Sequence, residues 1–465
     1  MFETSDEARA GELRGGPFAP VLGAVAGLVL RPWFDALALP GIVRWYFPLS
    51  RAWAAAEIAG ADVDRFAVET GCLHLPERLT ARVLAATAAR EQRYRAAAAA
   101  WEERFFAARF SGAAALLDTE AARQDAAHGW MAMRSAFVPL HLRTGFPALK
   151  WQAMAEAEVE KRHGARRADP TAAFPVPAPS GIALSHAVAR KAGRTRWLRF
   201  PASVAGTPDT AWARVIEPAD ASDPPTLIFL HGIGVESEFW AAEMGRVDRL
   251  VEAGIRVVRP EAPWHGRRRT AGWYGGEPIM ARGPLGLLDL FAASIGELAA
   301  LLAWARATSR GPVAVGGVSL GALTSQLLAS VAAGWPAAMR PDALFLVGTT
   351  ADVVEAALSG GLGQALGAEA QLSALAWSPA AIQRWAPLLQ PQGPPVMGAD
   401  AVVMVIGTSD IVTPFDGGMA LARRWTVPPE NLFLRRQGHF SVALGIEHDT
   451  APVERLVAIL RRMRA

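Results

Sequence analysis

A serine, an aspartate and a histidine in the second half of the chain have the types and the order needed to cleave an acyl bond. Gly317-Val318-Ser319-Leu320-Gly321 lies between an apolar run, Pro312 to Val315, and a helix-like stretch, Ala322 to Ala333, so it reads as strand, sharp turn, helix. Such a turn lifts one hydroxyl out of the end of a sheet. It takes glycine two residues to either side, because neighbouring backbone passes too close for a side chain. With 43 glycines in 465 residues, chance yields about one such motif in six chains of this composition, so the assignment depends on partners. A serine hydroxyl is a poor nucleophile until an imidazole takes its proton and a carboxylate fixes that imidazole's tautomer. The apolar run AVVMVIG leads into Thr408-Ser409-Asp410, and the run NLFL is followed by RRQGHF with His439. Ser319 is thus the expected nucleophile, His439 the base and Asp410 the acid. Asp352, after the run Ala343 to Val347, is the alternative acid, and His448 is a remote alternative base.

Upstream, LIFL is followed by His231-Gly232-Ile233-Gly234. A glycine-rich turn after a buried strand leaves backbone N–H groups free to stabilise an oxyanion, and Ile233 and Leu320 are the expected donors. The loop from Pro260 through Trp264, His265, Gly266 and three arginines to Trp273 would border the pocket. His231, Gly232, Trp264, His265 and Trp273 are therefore expected at the substrate, with the arginines free to meet a phosphate or carboxylate. The competing reading has Glu261 and Arg268 pair with each other to hold the loop.

These residues need a sheet beneath them. From about Gly181 onward, short apolar runs alternate with helical stretches, the pattern of a mostly parallel sheet covered by helices. Strands are expected at Thr195–Phe200, Ala211–Ile216, Thr226–Leu230, Ile255–Arg259, Pro312–Val315, Ala343–Val347, Ala401–Ile406 and Asn431–Leu434, which makes eight. Helices are expected at Ser237–Glu252, Leu285–Thr308, Ala322–Ala333, Phe415–Trp425 and Pro452–Arg464. The expected organisation is a helical N-terminal region over 1–163, a linker over 164–181 and an α/β domain over 182–465. A helical, cap-like insertion falls at about 351–390. In the first region Trp101, Phe105, Phe106 and Phe110 recur at near-helical spacing and read as core.

A hydrophobic content of 51% with 20% charged residues argues for folded domains. The net charge of +3 is carried almost wholly by arginine spread along the chain, which argues against a nucleic-acid footprint. The single cysteine, Cys72, excludes an internal disulfide, and no His/Asp/Glu cluster has metal-ligand spacing. Neither metal nor cofactor is expected. The acidic opening MFETSDEARAGE does not read as a secretory signal, so a cytoplasmic location is expected. Sixteen uncharged residues between Arg14 and Arg31, then Trp33, Phe34, Trp45, Tyr46, Phe47 and Trp53, fall short of a bilayer span. They are read as a buried helix docking on the second domain, with a shallow membrane-surface contact as the alternative.

Over roughly residues 195–465 the chain resembles the α/β-hydrolase superfamily, and within it the branch named alpha/beta hydrolase domain-containing protein eighteen. That branch carries E-N-P-Y-Y-G-x-R after its fourth strand. Glu261, Pro263, Gly266 and Arg268 match, while Ala262, Trp264 and His265 depart. Asp289-Leu290-Phe291, the elbow glycines Gly317 and Gly321 around Ser319, Asp410 with Pro414, and Gly438-His439 with Ser441 match in order. The resemblance implies an α/β-hydrolase fold and a lipase-like serine esterase acting on small-molecule or lipid-like acyl esters. An acyltransferase with the same triad, or a hydrolase-fold binding protein that has lost catalysis, are the alternatives.

Overall fold

The structure is a computed structural model describing residues 31–464 apart from 171, 177–180, 191, 220–221, 237–243 and 447. Its centre is one ten-stranded sheet. The strands in chain order are β1 (Ala183–Leu184), β2 (Val188–Arg190), β3 (Gly193–Val204), β4 (Thr207–Glu217), β5 (Thr226–Leu230), β6 (Arg256–Pro260), β7 (Val313–Val318), β8 (Ala343–Val347), β9 (Val402–Gly407) and β10 (Leu432–Arg435). They lie in the order β1-β3-β4-β6-β5-β7-β8-β9-β10, with β2 beside β3. From β6 to β10 all neighbours are parallel, and β4 joins β6 antiparallel. The eight expected strands are β3 to β10. The two additional ones, two and three residues long, were too short to leave an alternating signature.

Every residue of β5, β6, β8 and β9 is buried, as expected where helices cover both faces. Side chains alternate between two cores: Ile228 and Leu230 face one, Leu227 and Phe229 the other. The first core is closed by the helix Pro284–Thr308, through Leu288, Phe291, Ile295, Leu298 and Leu302. That helix is long and apolar enough to cross a membrane, but most of it is packed inside the molecule. The second core is closed by Met244–Glu252 and Ala451–Arg464. Of the helix expected at Ser237–Glu252, residues 237–243 lie outside the described residues.

The N-terminal helices sit against the end of the sheet that carries the elbow. The helix Phe47–Ala59 is mostly apolar, and ten of its 13 residues are buried, which fits a helix covered on most sides. Its Arg51 meets Glu277 at 2.9 Å with both side chains fully buried. Trp53 and Phe47 are core, whereas Trp33 and Trp45 are 49% and 42% exposed; residues 14–30 of that expectation lie outside the described residues. Trp101 and Phe105 pack on Trp197 of β3. Phe110, expected in the core, is exposed, because the helix ends at Phe105 and the helical spacing no longer applies.

Residues 164–168, expected to begin a linker, are the last turns of the helix Glu156–Ala168. His163 and Arg162 tie that helix to buried Asp289 at 2.9 and 3.0 Å, so it docks on the sheet's covering helix. The segment between β8 and β9 forms short helices, Val353–Leu358, Gly361–Leu366, Ala368–Ser373 and Pro379–Gln383.

Candidate active site

Ser319 caps the helix Leu320–Val331 with φ 55° and ψ −120°, a conformation that costs a β-carbon-bearing residue about 1–3 kcal/mol. Its N–H donates to the Val347 carbonyl at 2.9 Å, fixing the turn on β8. A Cβ at Gly317 would come within 2.5 Å of the Gly321 backbone, and one at Gly321 within 2.6 Å of the Leu230 carbonyl oxygen. The two glycines therefore let the elbow fold over the end of β5.

The structure brings Ser319, His439 and Asp410 into line. His439 Nε2 lies 2.8 Å from Ser319 Oγ, and its Nδ1 lies 2.8 Å from Asp410 Oδ2. The carboxylate is fixed in turn. Oδ1 accepts from the Val412 and Thr413 N–H groups, both at 2.9 Å, and Oδ2 accepts from the Thr413 hydroxyl at 2.8 Å. This orients Nδ1–H toward the carboxylate and presents the bare Nε2 to the serine. Asp410 and His439 are buried. Gly348, with φ 60°, borders the imidazole in a left-handed backbone conformation that favours glycine; a Cβ there would make only ordinary contact with the ring, at 3.4 Å.

Asp352 is elsewhere, capping the helix Val353–Leu358 by accepting from the Glu355 N–H at 2.9 Å. His448 is exposed.

Ile233 and Leu320 both line the pocket at Ser319, and among the described residues neither N–H donates to a protein acceptor. The loop that carries Ile233 is held by two histidines. His231 Nε2 accepts from the Ala262 N–H at 3.1 Å while its Nδ1–H donates to the Gly232 carbonyl at 2.7 Å. His265 Nε2 accepts from the Gly234 N–H at 3.1 Å while Nδ1–H donates to the Pro263 carbonyl at 3.0 Å. Burial pushes His265 down to about 4, and burial, then the neighbouring His265, holds His231 well below the usual imidazole range. Both rings are neutral and act as acceptors for backbone.

That role departs from the expectation for the loop. Of the five residues expected at the substrate, His231, Gly232, Trp264, His265 and Trp273, none lines the pocket. Gly232 stands beside Ser319, where a Cβ would lie 3.5 Å from that of the serine. Trp264, at φ 63°, packs into the sheet core, and Trp273 packs against the N-terminal helices. The arginines are also spent on structure. Arg268 pairs with Glu297 and Asp209, each at 2.6 Å, and reaches only the main-chain carbonyl of Glu261. The Glu261 carboxylate instead takes Arg267, at 2.8 Å to its N–H and 3.3 Å to its guanidinium.

A pocket opens at Ser319, with a cavity volume of about 150 Å³. Its wall is mostly apolar and includes Trp151 of the N-terminal region, Met280 and Leu287 before and on the long helix, Leu323 of the elbow helix, and Leu362 and Leu372 of the inserted helices. Thr413 is a polar residue at its edge. None of these wall residues carries a motif, so the pattern of motifs alone did not reveal them. Among the described residues no group of three His, Cys, Asp or Glu side chains stands close enough to hold a metal ion.

The sequence model of the Alpha/beta hydrolase family matches residues 227–458, the span that holds the elbow, Asp410 and His439. The fold is that of the α/β hydrolases. The chain is similar to the solved structure of acetyl xylan esterase 1 from Thermoanaerobacterium sp. JW/SL YS485, at 15% identity and TM-score 0.46, over 66% of this chain and 99% of that one. The acetyl xylan esterase from Paenibacillus sp. R4 aligns at 13% identity and TM-score 0.44, over 67% and 96%. The rice cell wall degrading esterase LipA from Xanthomonas oryzae aligns at 13% and TM-score 0.39, over 65% and 96%. No curated protein sequence matches the chain significantly.

Proposed function

We propose that this protein is a serine hydrolase of carboxylic esters with an apolar acyl group. The observation that carries the reading is the Ser319–His439–Asp410 line at 2.8 Å per step, opening into an apolar pocket. In this reading Ser319 Oγ attacks the ester carbonyl as its proton passes to His439 Nε2. Asp410 holds the imidazole's tautomer and stabilises its cation. The N–H groups of Ile233 and Leu320 receive the negative charge that develops on the carbonyl oxygen. His439 then gives its proton to the leaving alcohol, leaving an acyl group on Ser319. Water, deprotonated by the same imidazole, releases the acid. Among the described residues the wall carries no lysine or arginine, and such an apolar wall favours an alkyl chain over a sugar or a charged acyl group.

A fluorophosphonate probe and a series of nitrophenyl esters of rising acyl length test this directly. Labelling is expected in the wild type and absent in Ser319→Ala, with kcat/KM rising from acetate to medium-chain esters. Labelling that survives unchanged in Ser319→Ala would remove the serine from the mechanism, and a preference for acetate would remove the acyl assignment of the pocket.

A further inference from the structure

The helix Pro32–Gly41 lies some four hundred residues from His439 in sequence, yet its Asp35 reaches the turn that presents the imidazole. The Phe440 and Ser441 N–H groups both donate to Asp35 Oδ1, the second at 3.2 Å, and the Ser441 hydroxyl donates to Oδ2. The same hydroxyl accepts from the Gly438 N–H at 2.9 Å. The carboxylate therefore holds the backbone after His439 directly and the backbone before it through the Ser441 hydroxyl. A Cβ at Gly438 would overlap the Asp35 carboxyl, so the glycine before the histidine is matched to a side chain from the other end of the chain.

The N-terminal region also reaches the opposite side of the serine. Tyr46 donates its hydroxyl to the Gly234 carbonyl at 3.1 Å, and Arg134 pairs with Glu236 at 2.9 Å. Both contacts bear on the loop after β5, and Trp151 completes the pocket wall. The helical region is thus in contact with both loops that flank the elbow.

We infer that Asp35 is a positioning residue for His439, and that the N-terminal helical region is a working part of the catalytic centre. The inference rests on the serine-hydrolase reading. His439 has to keep Nε2 on the serine and Nδ1 on Asp410 at once, and the ring's freedom is set by the turn from Gly438 to Ser441. Asp410 fixes the far edge of the ring; Asp35 fixes the backbone from which the ring hangs. Asp35 does not line the pocket, so its loss acts on geometry at the serine and leaves acyl binding alone. A misplacement of about 1 Å at a reacting group lowers the rate by about 100-fold.

The test uses the full-length protein with Asp35→Ala, Asp35→Asn and the wild type. It reads kcat and KM on a medium-chain nitrophenyl ester, together with the downfield Nδ1 proton of His439 in protein carrying isotope-labelled histidine. Asp35→Ala is expected to lower kcat by about 10- to 100-fold with KM within about twofold, and to shift or broaden the Nδ1 proton. Asp35→Asn keeps the amide-accepting oxygen and is expected to fall between the two; it also carries the test should the alanine variant not fold. An unchanged kcat with an unperturbed Nδ1 proton overturns the inference, as does a loss confined to KM or to thermal stability. If the wild type neither hydrolyses esters nor takes the fluorophosphonate, the hydrolase reading fails by itself. The Nδ1 proton in the Asp35 variants then still decides whether Asp35 holds His439.

Discussion

The two flanks of Ser319 carry the same kind of side chain put to opposite uses. On the side of β9 and β10, His439 has a carboxylate on one nitrogen and the serine hydroxyl on the other. Toward β5 and β6, His231 and His265 have a carbonyl on one nitrogen and a backbone N–H on the other. A carboxylate partner stabilises the imidazolium and lets the ring cycle its proton; a carbonyl partner and deep burial keep the ring neutral. In the proposed mechanism the first arrangement moves a proton. The second uses imidazoles as rigid acceptors that shape the turn holding Ile233. Partner chemistry, and not residue type or nearness to the serine, separates base from brace.

The largest effect expected from this contrast compares His439→Ala with His265→Ala. The first should lower kcat by about 10⁴-fold or more and leave the denaturation midpoint nearly unchanged. The second leaves the Gly234 N–H without its acceptor and should destabilise by about 1–3 kcal/mol, with a smaller loss of kcat. Steady-state kinetics and urea titration on both variants separate the roles. A loss of kcat in His265→Ala as deep as in His439→Ala would erase the distinction.

A second, somewhat smaller effect is expected at the carboxylate. Asp410→Asn preserves shape but invites the wrong tautomer at His439, and kcat should fall by about 10³- to 10⁴-fold. Fluorophosphonate labelling should slow in parallel. An asparagine variant within tenfold of the wild type would show that Asp410 does not orient the ring.

Acid stability probes the other flank. The folded-state value of His265 is depressed to about 4, and that of His231 is also depressed. The unfolded chain takes up these protons as pH falls through about 6.5, while the folded protein resists. Their contribution is therefore complete above about 6.5. It shrinks as pH falls toward 4 and, for His265, levels off below its folded value. For His265 the loss across that window is up to about 3 kcal/mol. His265→Gln should flatten the slope of stability against pH, read from urea midpoints between pH 7 and pH 4. Equal slopes in the two proteins would mean that the ring is not held neutral.

The sequence was readable where chemistry is local and less so where it is not. The elbow could be read because the strand, the turn and both glycines fall within a few residues, and the backbone clashes at Gly317 and Gly321 are local too. Asp410 and His439 could be placed because each follows an apolar run that reads as a strand, although only β9 is buried throughout and β10, at the edge of the sheet, is not. Trp264 and His265 misled because aromatic residues on a loop after a strand look like a pocket wall. A positive φ at Trp264 turns that loop into the core, and no composition signal announces it. The pocket wall is assembled from Trp151, Leu287, Leu323 and Leu372, ordinary apolar residues whose common destination is set by tertiary packing. Asp35 was invisible for the same reason: its meaning lies wholly in contacts with Phe440 and Ser441.

The smallest effect completes the same lesson with the two aspartates. Asp352 follows β8, where an acid could also be delivered to His439, yet its Oδ1 accepts from the Glu355 N–H and caps the helix Val353–Leu358. Asp352→Ala should therefore cost only the cap, about 1 kcal/mol, and leave kcat within about twofold. The helix it caps supplies Val353 and Val354 to the pocket, so fraying should raise KM for long esters slightly before it touches kcat. Kinetics over the ester series, alongside a thermal melt, distinguish these outcomes. A fall in kcat of the size expected for Asp410→Asn would transfer the acid's role to β8 and end the contrast between the two carboxylates.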